Sequence, residues 1–424
     1  MSLQVIEWHK TGWGVIRGLA VAAIVISDLL GVCSYAQNAS SQSSTSREGA
    51  GAAKVPGTVI NHSPASSGLY VGSPSLAVLT NGDYVASHDF FGPKSREHER
   101  ATSLVFRSLD RGAHWTQVSQ IEGAFWSSLF VHRGALYLLG PDSHHGNIYI
   151  RRSLDRGSTW TSPVDGHSGL LRGEGQYHCA PMPVIEHAGR LWRAFEHRDP
   201  PKGWGTTYGA GMLSAPVDAD LLEAKNWISS NFLPSSNTWN QADMGGWLEG
   251  NAVVTPDGRL LDILRVETRG YPEKAALVNI SADGKTATFD PSGGFIQFPG
   301  GAKKFAIRRD PRSNTYWSLS SIVLAQHEKD GRPAAIRNAL ALTSSPDLKN
   351  WTIRCQLLYH PDILKHGFQY PDWLFDGDDI ISVVRTAYDD GQGGAHDKHD
   401  ANFLTFHRWR NFRRLELTSN PGQG

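Results

Sequence analysis

Cysteine and methionine are scarce, at 3 and 4 among 424 residues. Three cysteines without C-x-x-C spacing exclude a disulfide-framework scaffold and a zinc–thiolate site. Net charge is lacking too, because 41 Lys+Arg balance 41 Asp+Glu. A balanced chain has no field to drive non-specific nucleic-acid binding or attachment to an anionic membrane. Sustained helical periodicity is missing, and the sequence has a single long apolar run near its start. What is abundant is glycine, with 44 residues, alongside 14 tryptophans and 18 histidines. Hydrophobic residues make up 40%, enough for a core, which rules out wholesale disorder. Many glycines and aromatics point to short strands joined by tight turns.

The apolar run, residues 18–32, follows Lys10 and Arg17 and precedes Ser34-Tyr35-Ala36. Basic flank, short apolar core and small residues at −3 and −1 read as a signal peptide over 1–36, cleaved after Ala36. The alternative is a retained anchor, for which the run is short. Residues 37–55, rich in Ser, Ala and Gly, read as a flexible linker. A folded unit over 56–415 and a tail over 416–424 complete the organisation. The expectation is an exported protein, periplasmic or extracellular, monomeric and off the membrane after cleavage. Cys179 and Cys355 then remain and could form one disulfide.

The folded unit is a repeat. One element is a tight turn followed by alternating apolar residues, at 81–85, 133–137, 188–192, 257–260, 313–317 and 376–380. Each is a β-hairpin signal. A second element interleaves with it. Ser108-Leu109-Asp110-Arg111-Gly112-Ala113-His114-Trp115 recurs as Ser153-Leu154-Asp155-Arg156-Gly157-Ser158-Thr159-Trp160. Weaker copies start at Ser214, Ser281 and Ser345. This is the Asp-box pattern S-x-D-x-G-x-x-W: Asp accepts backbone N–H groups, Gly turns the corner and Trp packs between sheets. Modules of about four strands in this number predict an all-β fold, a single β-propeller with six modules. A seventh could hide between Gly189 and Gly258.

A propeller gathers loops at one end of its axis, so polar residues near strand ends can converge from distant positions. Candidates are His88 after the first hairpin, His144 and His145 in the second module, and Tyr177, His178, Arg193 and His197 in the third. Trp247, Glu249, Asn251 and Arg265 follow in the fourth, Lys304 in the fifth and Arg385 in the sixth. Arg193, Arg265 and Lys304 fall after successive hairpins, as substrate-facing cations would. His396 and His399 have loop spacing without a third defined ligand, so no metal and no cofactor is expected.

The Asp boxes and repeat period resemble the sialidase superfamily across residues 65–415. That resemblance implies an arginine triad for a substrate carboxylate, a Tyr/Glu nucleophile pair and an acidic Asp. The F/Y-R-I-P signature expected near the first blade is missing, with Phe305-Ala306-Ile307-Arg308 as a displaced echo. The stretches 72–75, 87–89, 144–147, 177–178 and 247–251 also resemble seven-bladed propeller enzymes of uronic-acid glycans. These are the ulvan lyases and the rhamnose–glucuronate lyases and rhamnosidases. That likeness implies seven blades and places a catalytic Tyr and Arg sixteen residues apart, matching Tyr177 and Arg193. It places a His in the preceding blade, matching His145, while a second expected His falls on Phe125. For rhamnosidase-type members it implies His88.

The expected function is thus cleavage of a uronate-containing polysaccharide or its rhamnose-capped side chains by β-elimination. Arg193 would neutralise the uronate carboxylate, His145 or Tyr177 would take the C5 proton, and Tyr177 would protonate the leaving oxygen. His88, His144, His178, His197, Trp247, Glu249, Asn251, Arg265, Lys304 and Arg385 would contact the oligosaccharide. The alternatives are a glycoside hydrolase, rhamnosidase-like through His88 or sialidase-like, or a glycan-binding propeller without turnover. A hydrolytic acid pair would be Glu249 with Asp372 or Asp389.

Overall fold

The structure, a computed structural model, describes residues 54–415. The expected leader 1–36, the linker up to residue 53 and the tail 416–424 lie outside the described residues. No helix among the described residues is long and apolar enough to cross a membrane.

Six antiparallel sheets follow one another along the chain. Each runs from an inner strand near the axis to an outer strand. Blade 1 comprises Ser75–Val78, Tyr84–Phe91, Thr102–Ser108 and Thr116–Glu122, with Tyr70–Val71 extending its inner edge. Blade 2 comprises Ser128–His132, Ala135–Pro141, Ile148–Ser153 and Leu170–Arg172. In blade 3 a split inner strand, Tyr177–His178 and Ile185–His187, precedes Arg190–Arg198, Tyr208–Pro216 and a split outer strand. Blade 4 begins with Trp247–Val254, Leu260–Val266 and Lys274–Ile280, and blade 5 with Phe305–Arg309, Tyr316–Ser321 and Ala339–Ser345. Blade 6 joins both ends of the unit: Gly367–Asp376, Asp379–Ala387 and Phe403–Trp409 pair in turn, and Thr58–His62 adds the outer strand. This closure leaves no open edge around the ring.

The six hairpin signals are the turns between first and second strands of the six blades. Blades therefore number six, and the seven implied by the lyase likeness are not formed. The long interval in blade 3 holds loops and two-residue outer strands, Ile228–Ser229 and Leu233–Pro234, rather than another sheet.

Asp boxes connect third to fourth strands at the end of the ring opposite the second-to-third-strand loops. In the first box Gly112 N–H donates to Ser108 Oγ at 2.8 Å and His114 N–H to Asp110 Oδ1 at 2.9 Å. Trp115 returns its indole N–H to Gly112 O. Gly112, at φ 94°, has the Phe406 ring of blade 6 2.2 Å from where a Cβ would lie, so only glycine fits. The core is divided into seams between neighbouring blades. The seam of blades 6 and 1 packs Ile381, Val383 and Phe406 against Leu76, Tyr84 and Phe106. That of blades 3 and 4 packs Trp192 and Met212 against Trp247 and Val278.

Candidate active site

A cavity of about 680 Å3 opens at the end of the axis away from the Asp boxes. Every blade contributes the end of a second strand, a second-to-third-strand loop or the start of an inner strand, among them Asp89 and Glu97, His144, Trp204, Arg265, Arg337 and Arg385.

Two inner strands are deformed toward the axis. Register slips between Leu248 and Asn251 in blade 4, and between Gln369 and Asp372 in blade 6. Inside these bulges Glu249 takes φ 58° and Tyr370 φ 52°, a left-handed backbone rare for such residues. Bulges re-aim side chains, and strained backbone clusters where function requires it. Tyr370 lines the cavity and is 8% exposed, with Glu249 at 2%.

Three guanidinium groups surround Tyr370. Arg385 lies 4.9 Å and Arg337 5.8 Å from its ring centroid, and Arg265 acts on the phenol electrostatically. Their neighbours fix them without neutralising all three. Arg265 donates through Nη1 to Glu249 Oε2 at 2.9 Å and through Nη2 to Glu267. Arg337 is held by Ala334 O and by Gln369 Oε1 at 2.9 Å. Arg385 binds His399 O through Nε and Nη2. Among the described residues no hydrogen bond involves Nη2 of Arg337 or Nη1 of Arg385, and both arginines line the cavity. Burial pulls the Arg385 pKa down to about 10, a sign of a cation set in a low-dielectric wall.

Burial by itself would raise the Glu249 carboxyl, but Arg265, with help from His178 and the Tyr370 hydroxyl, brings it below its ordinary value. It is therefore ionised beside a phenol whose pKa burial and Glu249 push upward. Such a pair could supply a base next to a neutral nucleophile. On blade 1, burial lifts the Glu97 carboxyl to about 7, and Glu97 lies on the cavity wall with its side chain 16% exposed. Asp89 also rises to about 7 through burial, but its oxygens are occupied by Ser73 N at 2.7 Å and Trp126 N at 2.6 Å. Opposite the arginines, Trp126, His144 and the 43%-exposed Trp204 form an aromatic wall.

The residues singled out from the sequence divide. Arg265, Arg385 and His144 line the cavity, and Glu249 stands behind Tyr370. The trio His145, Tyr177 and Arg193 is not brought together around it. Arg193 has no exposed surface, and its guanidinium is used by Ser128 Oγ at 3.2 Å, Ala180 O at 2.5 Å and Ala194 O. The Tyr177 hydroxyl donates to Glu174 Oε1 at 2.5 Å, inside the seam of blades 2 and 3. His145 meets the Tyr208 hydroxyl at 2.7 Å, and burial plus neighbouring histidines lower its pKa to about 2.

Other candidates sew blades together. Asn251 accepts Ile307 N–H at 2.9 Å and donates to Ile263 O and Phe305 O, and Trp247 donates to Tyr208 O. Lys304 is tied to Pro371 O below the floor. His178 pairs with Glu196 at 2.8 Å, and Glu196 accepts Gly250 N–H across the seam of blades 3 and 4. His88 is 1% exposed between Asn61 and Asp89 O, and His197 packs against Tyr177. Asp372 is occupied by Ser75, Leu76, Trp373 and Arg308. Cys179 is a free buried thiol, so it forms no disulfide with Cys355. Arg337 and Glu97 were not among the candidates, and Tyr370, noted in the stretch Tyr370-Pro371-Asp372, was given no role. Their shared signal was position, at the start of an inner strand or in a second-to-third-strand loop.

No protein-family model matches the chain, and no curated protein matches it in sequence. Solved structures do. The α-L-arabinanase of Penicillium chrysogenum matches with TM-score 0.54 at 14% identity, over 85% of this chain and 99% of that one. The α-L-arabinofuranosidase Arb93A of Fusarium graminearum gives 0.54 at 11%, over 85% and 98%. The sialidase of Trypanosoma rangeli gives 0.51 at 15%, over 81% of this chain and 54% of that one. At these identities the likeness establishes the fold, a six-bladed propeller of the kind that carries sialidases and arabinanases.

Proposed function

We propose that the protein is a glycoside hydrolase that releases a terminal sugar bearing a carboxylate at its anomeric carbon, a sialic-type ulosonic acid. The observation that carries this reading is the convergence of Arg265, Arg337 and Arg385 on Tyr370, with Glu249 ionised behind the phenol. Guanidinium groups pair with a carboxylate through planar hydrogen bonds. A carboxylate next to the reacting carbon repels an anionic nucleophile, whereas a neutral tyrosine can approach it. Glu249 would take the phenolic proton as the Tyr370 oxygen bonds to the anomeric carbon. Glu97, protonated near neutral pH, would give its proton to the leaving oxygen. Water would then displace Tyr370 with Glu97 acting as base, so the configuration is retained. The aromatic wall of Trp126, His144 and Trp204 offers apolar faces to the departing sugar.

The known enzymes that share the fold are named as glycosidases, which supports hydrolysis over β-elimination. The test is a panel of three substrates: a fluorogenic α-ketoside of N-acetylneuraminic acid, a fluorogenic arabinofuranoside and a rhamnose–glucuronate glycan followed by ultraviolet absorbance. Release from the ketoside, lost in Tyr370→Phe, supports the proposal. Hydrolysis of the arabinoside alone, or an unsaturated uronate product, overturns it.

A further inference from the structure

We propose that the sugar released in the cavity carries a second anionic group, a sulfate-type oxyanion ester, and that Thr268, Arg269 and Arg332 hold it on the wall built by blades 4 and 5. This deepens the proposed function and rests on that reading of Arg265, Arg337 and Arg385 as partners of the anomeric carboxylate.

The cavity holds more positive charge than one carboxylate requires. Arg265, Arg269, Arg332, Arg337 and Arg385 line it, against the carboxyl groups of Asp89, Glu97 and Glu267. Burial lifts Asp89 and Glu97 to about 7, so neither is fully ionised near neutral pH. Glu267 is taken by Arg265, which also pairs with Glu249. With Arg337 and Arg385 given to the anomeric carboxylate, Arg269 and Arg332 remain. Both are exposed, and among the described residues no hydrogen bond or ion pair involves either guanidinium.

The backbone under these side chains is held in place. Thr268 and Arg269 lie in the loop after Leu260–Val266, and Arg332 in the loop between Tyr316–Ser321 and Ala339–Ser345. The two loops are fastened to each other. Tyr271 Oη donates to Gly331 O at 3.3 Å, and Lys303 Nζ, paired with Glu273, donates to Pro333 O at 2.9 Å. Asp243 Oδ1 accepts the Arg269 N–H at 2.7 Å. Thr268 is 3% exposed on the cavity wall, yet its Oγ1 is buried with no hydrogen-bond partner. A buried hydroxyl without a partner is costly, and a ligand oxyanion would accept its hydrogen. Two guanidinium forks beside that hydroxyl suit an anion with several acceptor oxygens.

The side of the cavity assigns the charge to the released sugar. Glu97, Trp126, His144 and Trp204 come from blades 1 to 3, so the leaving group departs there. Blades 4 and 5 face the other flank of the bound residue.

The test compares KM for three substrates. These are the fluorogenic α-ketoside of N-acetylneuraminic acid, the same ketoside sulfated on its exocyclic chain, and a dimer of N-acetylneuraminic acid, whose second charge sits on the departing residue. The sulfated ketoside should show a KM about tenfold lower than the plain one, the worth of one or two charge-assisted hydrogen bonds. That ratio should shrink about threefold in Arg269→Ala and in Arg332→Ala, return in part in Arg332→Lys, and narrow with added salt, because exposed guanidinium groups are screened. Both arginines are exposed, so their replacement leaves the fold intact. Equal KM for the two ketosides, an advantage that survives both alanine variants, or an advantage confined to the dimer overturns this inference and leaves the proposed function standing. Turnover of neither ketoside overturns the proposed function, and this inference with it.

Discussion

Replacing Glu249 with Gln keeps the shape of the side chain and removes the charge that defines its role. In the parent the carboxylate is 2% exposed and 2.9 Å from Arg265. Removing one member of a buried pair can cost about 3–5 kcal/mol. Here Arg265 keeps Glu267 as a second partner, and Gln retains an oxygen acceptor, so a loss nearer 1–3 kcal/mol is expected, the range for a buried group left underpaired. The folded protein should therefore persist at 25 °C with a lowered Tm. Turnover should suffer far more, because Gln cannot take the Tyr370 proton. General-base catalysis contributes about 10²–10⁴-fold, so kcat on the ketoside should fall by that factor with KM changed little. Steady-state kinetics on variant protein checked for fold by circular dichroism would decide. A kcat within threefold of the parent would falsify the assignment of Glu249 as the base of Tyr370.

Further expectations follow from the same geometry. Glu97 must be protonated to act as acid, so kcat/KM should fall as pH rises through about 7, and Glu97→Gln should abolish that limb; a limb that survives the substitution moves the acid elsewhere. The raised Glu97 pKa also makes the folded state bind more protons than the unfolded one between about 4.5 and 7. Stability from this group is present at low pH and lost on rising through that window, whereas buried His88, His144 and His399, with lowered pKa values, act the opposite way below about 6.5. The difference between parent and Glu97→Gln, measured by denaturant unfolding at pH 5 and 8, isolates the term, and its absence refutes it. Trp204→Ala should raise KM severalfold for an oligosaccharide, from an aromatic contact of about 1 kcal/mol, and leave kcat for a small aryl ketoside unchanged. Gly112→Ala should cost at least 1–3 kcal/mol, about what overpacking costs, because its Cβ would meet the Phe406 ring at the seam that closes the ring; an unchanged Tm contradicts this seam.

The hairpin turns and Asp boxes were legible because they are local: Gly82, Gly134 and Gly258 mark positive-φ turns, and Ser153 and Asp155 bind groups within a few residues. The blade count read from them was six, and the likeness to seven-bladed lyases misled through similar residues at similar spacings. The site was legible only in part. Glu249, Arg265, Arg385 and His144 stood out as polar residues at strand ends. Arg193 stood out for the same reason, yet nothing local says that Ser128 and two carbonyls absorb its charge. Arg337 and the role of Tyr370 were hidden because they depend on two bulges and on convergence from blades 4, 5 and 6. A residue's orientation at a bulge is set by pairing across the sheet, which no short motif records.

The most direct test of the central claim is the site of covalent attachment. A 3-fluorinated ulosonyl fluoride forms a glycosyl-enzyme more quickly than water can release it, so peptide mass spectrometry can locate the sugar. One equivalent per chain is expected on the Tyr370 hydroxyl, absent in Tyr370→Phe. A label on Glu249 or Glu97, or turnover of the ketoside with no label on Tyr370, would contradict it.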